Sequence, residues 1–158
     1  MHKFHEKATK VIEKYRLSGK RISTAESCTG GLLSASITSI AGSSDVFDRG
    51  YVTYSNESKS ELLGVDKSLI SKYGAVSEEV SIQMALGAIE KSGCDTAISI
   101  TGIAGPERIG DLKEVGLVYI TYIDSDKRSV TQEHNFSGNR EEIRDRTVFS
   151  ALDLLLSF

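Results

Sequence analysis

Two short segments carry the residue types that could do chemistry, Ser27-Cys28-Thr29-Gly30-Gly31 and Thr101-Gly102-Ile103-Ala104-Gly105-Pro106. Each follows a stretch that reads as a strand. In α/β sheets ligands collect at the carboxyl ends of strands, so the two turns could face one pocket. The first sets a hydroxyl and bare backbone amides at the start of a predicted helix, where the dipole favours an anion or a developing oxyanion. Glycine turns of this kind do nothing more than reverse the chain about as often. The segment is not a phosphate-binding P-loop, because no Gly-Lys-Ser/Thr follows, nor a Gly-x-Ser-x-Gly elbow, because Glu26 directly precedes Ser27.

A serine or cysteine nucleophile needs a base within hydrogen-bond reach, and histidine is the usual one. This chain has three histidines. His2 and His5 fall in the first turns of the opening helix, and His134 alternates with polar residues, where a satisfied or exposed histidine is the commoner case. No HExxH or paired-cysteine spacing suits zinc, so neither a triad nor a metal centre is expected. A lysine remains as base, and it works only if burial or nearby positive charge brings its pKa toward neutrality. Tyr54-Ser55-Asn56-Glu57-Ser58-Lys59 leaves an extended segment and enters a short helix, so Tyr54 and Lys59 could project near the same sheet edge. By composition alone, Lys59 reads as an ordinary solvated lysine.

The elements that must position these residues follow from periodicity. Phe4, Ala8, Val11, Ile12 and Tyr15 predict a helix over 3–18 with Gly19 as its cap. Arg21 to Ala25 reads as a strand, then the first turn, then a helix carrying Leu32, Leu33, Ile37 and Ile40. Ala41 to Ser44 breaks this helix, and Val46 to Tyr54 is extended. Short helices are expected over Asn56 to Leu63 and Lys67 to Tyr73. A longer one starts after Ser77 as N-cap, presents Ile82, Leu86 and Ile89 as its apolar stripe, and ends at Gly93. Cys94 to Thr101 and Val115 to Ile123 read as buried strands, the latter followed by a hairpin arm in which Val130, Gln132, His134 and Phe136 alternate. A last helix begins near Asn139 with Glu142 completing a capping box, and buries Ile143, Val148, Ala151 and Leu155. Helices and strands alternate before a late hairpin, which predicts an α/β fold with a mixed sheet sandwiched by helices, three layers deep. Glu107 to Glu114 is the one segment that reads as loose.

At 158 residues the chain suits one domain, 1–158, with a core that needs no covalent staples. No apolar run approaches the ~18 residues that cross a bilayer, and the amino-terminal stretch is too polar for a secretory signal, so a cytoplasmic protein is expected. Two cysteines, Cys28 and Cys94, fit a reducing compartment. A net charge of −3, with bases scattered among acids, leaves no electrostatic footprint for nucleic acid.

Five blocks carry a resemblance. They are TAESCTGG at 24–31, AGSSDVFDRGYVTYSNESK at 41–59, YGAVSEE at 73–79, ISITGIAGP at 98–106 and FSGNR at 136–140. In order and spacing they resemble the C-terminal domain of the competence/damage-inducible CinA family, which includes stand-alone nicotinamide mononucleotide deamidases. The resemblance implies metal-free, cofactor-free hydrolysis of the carboxamide of nicotinamide mononucleotide to nicotinate mononucleotide and ammonia, by a serine/lysine pair in a homo-oligomer such as a dimer. Carried over, the pair is Ser27 and Lys59 with Tyr54 beside them. Ser44 of AGSSD also lies in a family block and is the alternative nucleophile; Ser27 leads for its helix-start setting. Thr29, Gly30 and Gly31, Thr101, Gly102 and Gly105, and Arg140 of SGNR are the candidate substrate-binding residues. Arg140 stands either toward the substrate phosphate or in a surface pair with Glu141 or Glu142.

One departure stands out. Family members commonly run Lys-Pro-Val-Gly after the GIAGP block, whereas this chain reads Lys113-Glu114-Val115-Gly116. The altered loop makes a nucleotide-binding module without turnover the rival reading. Some relatives carry a second domain on the amino-terminal side, and its activity does not transfer.

Overall fold

A computed structural model describes residues 2–158. Five strands form one sheet: β1 (Ile22–Glu26), β2 (Phe47–Val52), β3 (Thr96–Gly102), β4 (Leu117–Asp124) and β5 (Ser129–Asn135). Their order is β2-β1-β3-β4-β5. β1 runs parallel to both neighbours, whereas β4 and β5 return antiparallel, so the sheet is mixed as the sequence predicts. Helices α1 (His5–Ser18), α2 (Leu32–Thr38) and α6 (Arg140–Ser157) pack together on one side of the sheet. α3 (Asn56–Leu63), α4 (Lys67–Tyr73) and α5 (Glu78–Ser92) form the third layer.

The two faces of the sheet differ because side chains alternate along a strand. Ile22, Ile98, Ile100, Val118, Ile120 and Tyr122 point toward α1 and α6 and join the larger core. The alternate positions are small or hydroxylic. Ala25 and Ala97 meet α5, and Ser99 and Thr121 hydrogen-bond to Ser81 of α5. Small residues let α5 lie close to the sheet.

That closeness corrects the expected stripe of α5. Val80, Met84, Ala85 and Ala88 face the core, while Leu86 is 46% exposed and Ile82 and Ile89 are half-buried. Gly87 is buried where α3 crosses; a Cβ there would stand 2.0 Å from the Leu63 carbonyl oxygen. Alanine and glycine carry little weight in a hydrophobic pattern, so the larger apolar side chains on the outer face attract the assignment instead.

Helix ends follow their sequence signals. Ser55, Ser77 and Asn139 each accept a backbone N–H as N-caps, and Asn139 with Glu142 completes the capping box. α2 is shorter than expected, stopping at Thr38, although Ile40 stays buried just beyond it. Among the described residues no helix is long and apolar enough to cross a membrane.

Candidate functional site

The carboxyl ends of β1 and β3 lie side by side in the sheet, and a cleft of about 430 Å³ opens beyond them. That volume is within the range of small-molecule sites. Ser27, Tyr54, Lys59, Thr101, Gly102, Gly105 and Arg140 all line it.

Ser27 is the residue just past β1. Its N–H donates to the Ile100 carbonyl, so the ladder with β3 continues through it and its backbone is held. Glu26 and Ser27 take opposite sides, Glu26 toward α2 and Ser27 toward α3. On the β2 side, the Thr53 N–H donates to the Glu26 carbonyl, which keeps the exit from β2 against β1. The chain then turns, Ser55 caps α3, and Lys59 in the first turns of that helix reaches back toward the strand ends.

Lys59 is 1% exposed and Ser27 8% exposed. Lys59 Nζ lies 3.1 Å from Ser27 Oγ, 2.8 Å from the Thr53 carbonyl oxygen and 3.4 Å from that of Tyr54. Burial disfavours the ammonium and brings its pKa from 10.5 down to about 8, against smaller opposing effects of Cys28 and Glu57. A neutral amine has two N–H bonds and one lone pair. If the two hydrogens go to the carbonyls of Thr53 and Tyr54, the lone pair is left for the serine hydroxyl. Because the folded-state pKa is depressed, the unfolded chain binds the proton more tightly. Stability is therefore penalised by about 3 kcal/mol below pH 8, and the penalty disappears as pH rises toward 10.5.

The remaining expected residues separate into those that reach the cleft and those that do not. Arg140 opens α6 and turns away from Glu141 and Glu142; its Nη1 donates to the Gly105 carbonyl at 2.6 Å and its Nη2 to the Tyr54 hydroxyl at 2.9 Å. Tyr54 is 60% exposed, and it offers Lys59 a backbone carbonyl while its hydroxyl is engaged with Arg140. The polar groups around Lys59 Nζ are the Ser27 hydroxyl and backbone carbonyls, and the Tyr54 hydroxyl is not among them. The Thr101 hydroxyl donates to the Ala75 carbonyl and ties the end of β3 to the far wall. Gly102 has no room for a side chain, since a Cβ would stand 2.7 Å from Val118 Cγ2 and 3.1 Å from Cys28 Sγ.

Thr29, Gly30 and Gly31 do not line the cleft. The Gly30 N–H donates to the Ser27 carbonyl, while Thr29 and Gly31 serve Glu26, a fully buried carboxylate that sequence reading passes over. Its oxygens accept from the Thr29 hydroxyl at 2.6 Å, the N–H of Gly31 and Leu33 at 3.1 Å each, and the N–H and hydroxyl of Ser34 at 2.8 and 2.6 Å. The amino-terminal end of α2 therefore already holds an anion, the protein's own. A signal for it exists in the sequence: an acidic residue placed where a strand hands over to a helix start.

Ser44 is exposed in a short 3-10 turn before β2, at the amino-terminal end of a strand parallel to β1. Ser27 follows the opposite end of β1. About five residues of strand at ~3.3 Å each separate the two levels, so Ser44 and Lys59 are not brought together. His134 stacks on Phe136 with ring centroids 4.8 Å apart and does not line the cleft. Cys28 lines the cleft beside Ser27, but burial pushes its thiol up to about 12, which keeps it protonated.

The 107–114 segment forms the outer lip through Glu107 and Ile109. Glu114, the departure from the common pattern, pairs with Arg108 at 2.7 Å. Lys113 fastens the loop by donating to the carbonyls of Tyr73 and Val76 at 2.5 and 2.6 Å.

Residues 4–158 match the CinA C-terminal domain family. The chain belongs to this family. Its CinA domain is 46% identical, over 99% of the chain and 96% of the relative, to a protein of Enterobacter agglomerans named nicotinamide-nucleotide amidohydrolase PncC. The relative of that name from Escherichia coli strain K12 is 42% identical over 92% of this chain and 88% of its own. Among solved structures, a competence/damage-inducible protein from Agrobacterium tumefaciens superposes on this CinA domain with a TM-score of 0.95. It is 41% identical and covered over 94% of its length, against 98% of this chain.

Proposed function

We propose that the protein hydrolyses the carboxamide of nicotinamide mononucleotide, releasing nicotinate mononucleotide and ammonia, with Ser27 as nucleophile and Lys59 as base. The observation that carries the mechanism is the 3.1 Å approach of Ser27 Oγ to a buried amine whose pKa is held at about 8. Near-full-length likeness to proteins named for this amidohydrolysis supports the substrate.

In this mechanism neutral Lys59 takes the Ser27 proton as Oγ attacks the carboxamide carbon. The tetrahedral oxyanion is met by backbone N–H groups of the turns that line the cleft, a contribution of roughly 3 kcal/mol for each well-placed donor. The ammonium of Lys59 then protonates the leaving nitrogen, and the C–N bond breaks to give ammonia and an acyl-serine. Water, deprotonated by the same amine, attacks the ester; the resulting ammonium returns that proton to Ser27 Oγ as the C–O bond breaks, regenerating the hydroxyl and the neutral amine and freeing the acid, which ionises to the carboxylate product. Arg140 lines the cleft, and in this reading its guanidinium meets the substrate phosphate. The same reading has a one-domain cytoplasmic enzyme working as a homo-oligomer. Its two free cysteines are buried, and the partly exposed apolar strip of Ile82, Leu86 and Ile89 beside Ile123 offers a contact surface.

The test is ammonia release from nicotinamide mononucleotide by the purified protein in the presence of a chelator. Because the base works unprotonated, kcat/KM should climb through a midpoint near pH 8 and level off above pH 9. Tight binding of the nucleotide with no ammonia would replace the enzyme by the rival binding module.

A further inference from the structure

Arg144 stands one helical turn beyond Arg140 on α6 and is half-buried. It faces the back of the serine turn. Its Nε donates to the Cys28 carbonyl at 3.2 Å and its Nη2 to the Thr29 carbonyl at 2.9 Å. A Cβ on Gly30 would lie 3.8 Å from Nη2, so the guanidinium covers the turn directly. Glu26 holds the same turn from within, through the Thr29 hydroxyl and the Gly31 N–H. A carboxylate takes hydrogens on one side and a guanidinium gives them on the other.

We propose that Arg144 is a positioning residue for Ser27. The inference rests on the reading of Ser27 as nucleophile. Ser27 is fixed at its N–H by Ile100 and at its carbonyl by the N–H of Gly30, so its orientation depends on how the 28–30 peptides are rotated. Arg144 sets that rotation through two adjacent carbonyls. A planar guanidinium fork meets both carbonyls in one fixed geometry, whereas a lysine ammonium presents its donors from a single flexible point and fixes the relative rotation of the two peptides less well. A displacement of about 1 Å at a reacting atom is worth up to ~100-fold in rate, so a turn that can twist is a slow enzyme even when it binds substrate.

The experiment measures steady-state ammonia release by full-length Arg144→Met, Arg144→Lys and Arg144→Ala, alongside wild type and Ser27→Ala, with thermal midpoints for each. The expected result for Arg144→Met is a kcat lower by about 10- to 100-fold with KM within about threefold. Arg144→Lys should recover part of the loss. Guanidinium added at sub-denaturing concentration should raise turnover of Arg144→Ala and leave wild type unchanged. A kcat within twofold of wild type for Arg144→Met, or losses that merely track the unfolded fraction and that guanidinium does not reverse, would overturn the proposal. Inactive Ser27→Ala with fully active Arg144→Met removes this inference alone; Ser27→Ala with wild-type turnover removes the serine reading and this inference with it.

Discussion

The two glycine turns look alike in sequence and do different work. In the turn at 27–31 the polar groups are spent inside the protein. Glu26 takes the Thr29 hydroxyl and the Gly31 amide, Arg144 takes the carbonyls of Cys28 and Thr29, and only Ser27 and Cys28 reach the cleft. In the turn at 101–106 every residue lines the cleft, and its Gly105 carbonyl holds Arg140 at the rim. One turn is a rigid mount for a single hydroxyl; the other is a wall. A glycine-rich strand-to-helix turn is thus an anion site only when nothing in the chain has already taken the helix end.

The largest effect should come at the mounted hydroxyl. Ser27→Ala and Lys59→Ala are each expected to lower kcat by at least 10³-fold, with the double variant scarcely worse, because the proposed mechanism makes the two residues one unit. Ser44→Ala, at the other end of the sheet, should keep wild-type kinetics in the same ammonia assay. Full activity in Ser27→Ala would erase the contrast between mount and wall.

Next in size is the internal anion. Glu26→Ala leaves the N–H groups of Gly31, Leu33 and Ser34 buried without their acceptor, and should cost about 3–5 kcal/mol in urea unfolding. Glu26→Gln keeps one acceptor oxygen and should lose less. Equal stability of Glu26→Ala and wild type would mean that the helix end is not satisfied in this way.

The smallest effect belongs to the rim. Arg140→Ala should raise KM for the nucleotide by about 10- to 100-fold and change kcat by less than about fivefold, because in the proposed mechanism the side chain meets the substrate phosphate, away from the reacting carbon. Kinetics with an unchanged KM would take Arg140 out of the binding site.

Local signals were enough for much of this protein. The caps Ser77 and Asn139, the helix-ending glycines 19 and 93, and the alternating arm of β5 all depend on near neighbours in the chain, and they appear where the residues predict them. The blocks that carry the family resemblance were equally legible, and with them Ser27, Lys59 and Arg140 as candidates. What the tertiary structure alone decided was environment. Lys59 reads as a solvated lysine until α3 docks against the end of β1 and removes its water. Thr29, Gly30 and Gly31 read as ligand-binding until the side chain of Glu26 folds beneath them. Ser44 competes with Ser27 until the parallel pairing of β1 and β2 sends the two serines to opposite ends of the sheet. Residue type and spacing set the available chemistry, but burial and charge pairing arise between segments distant in sequence, and these decide which lysine loses its water and which helix end is free.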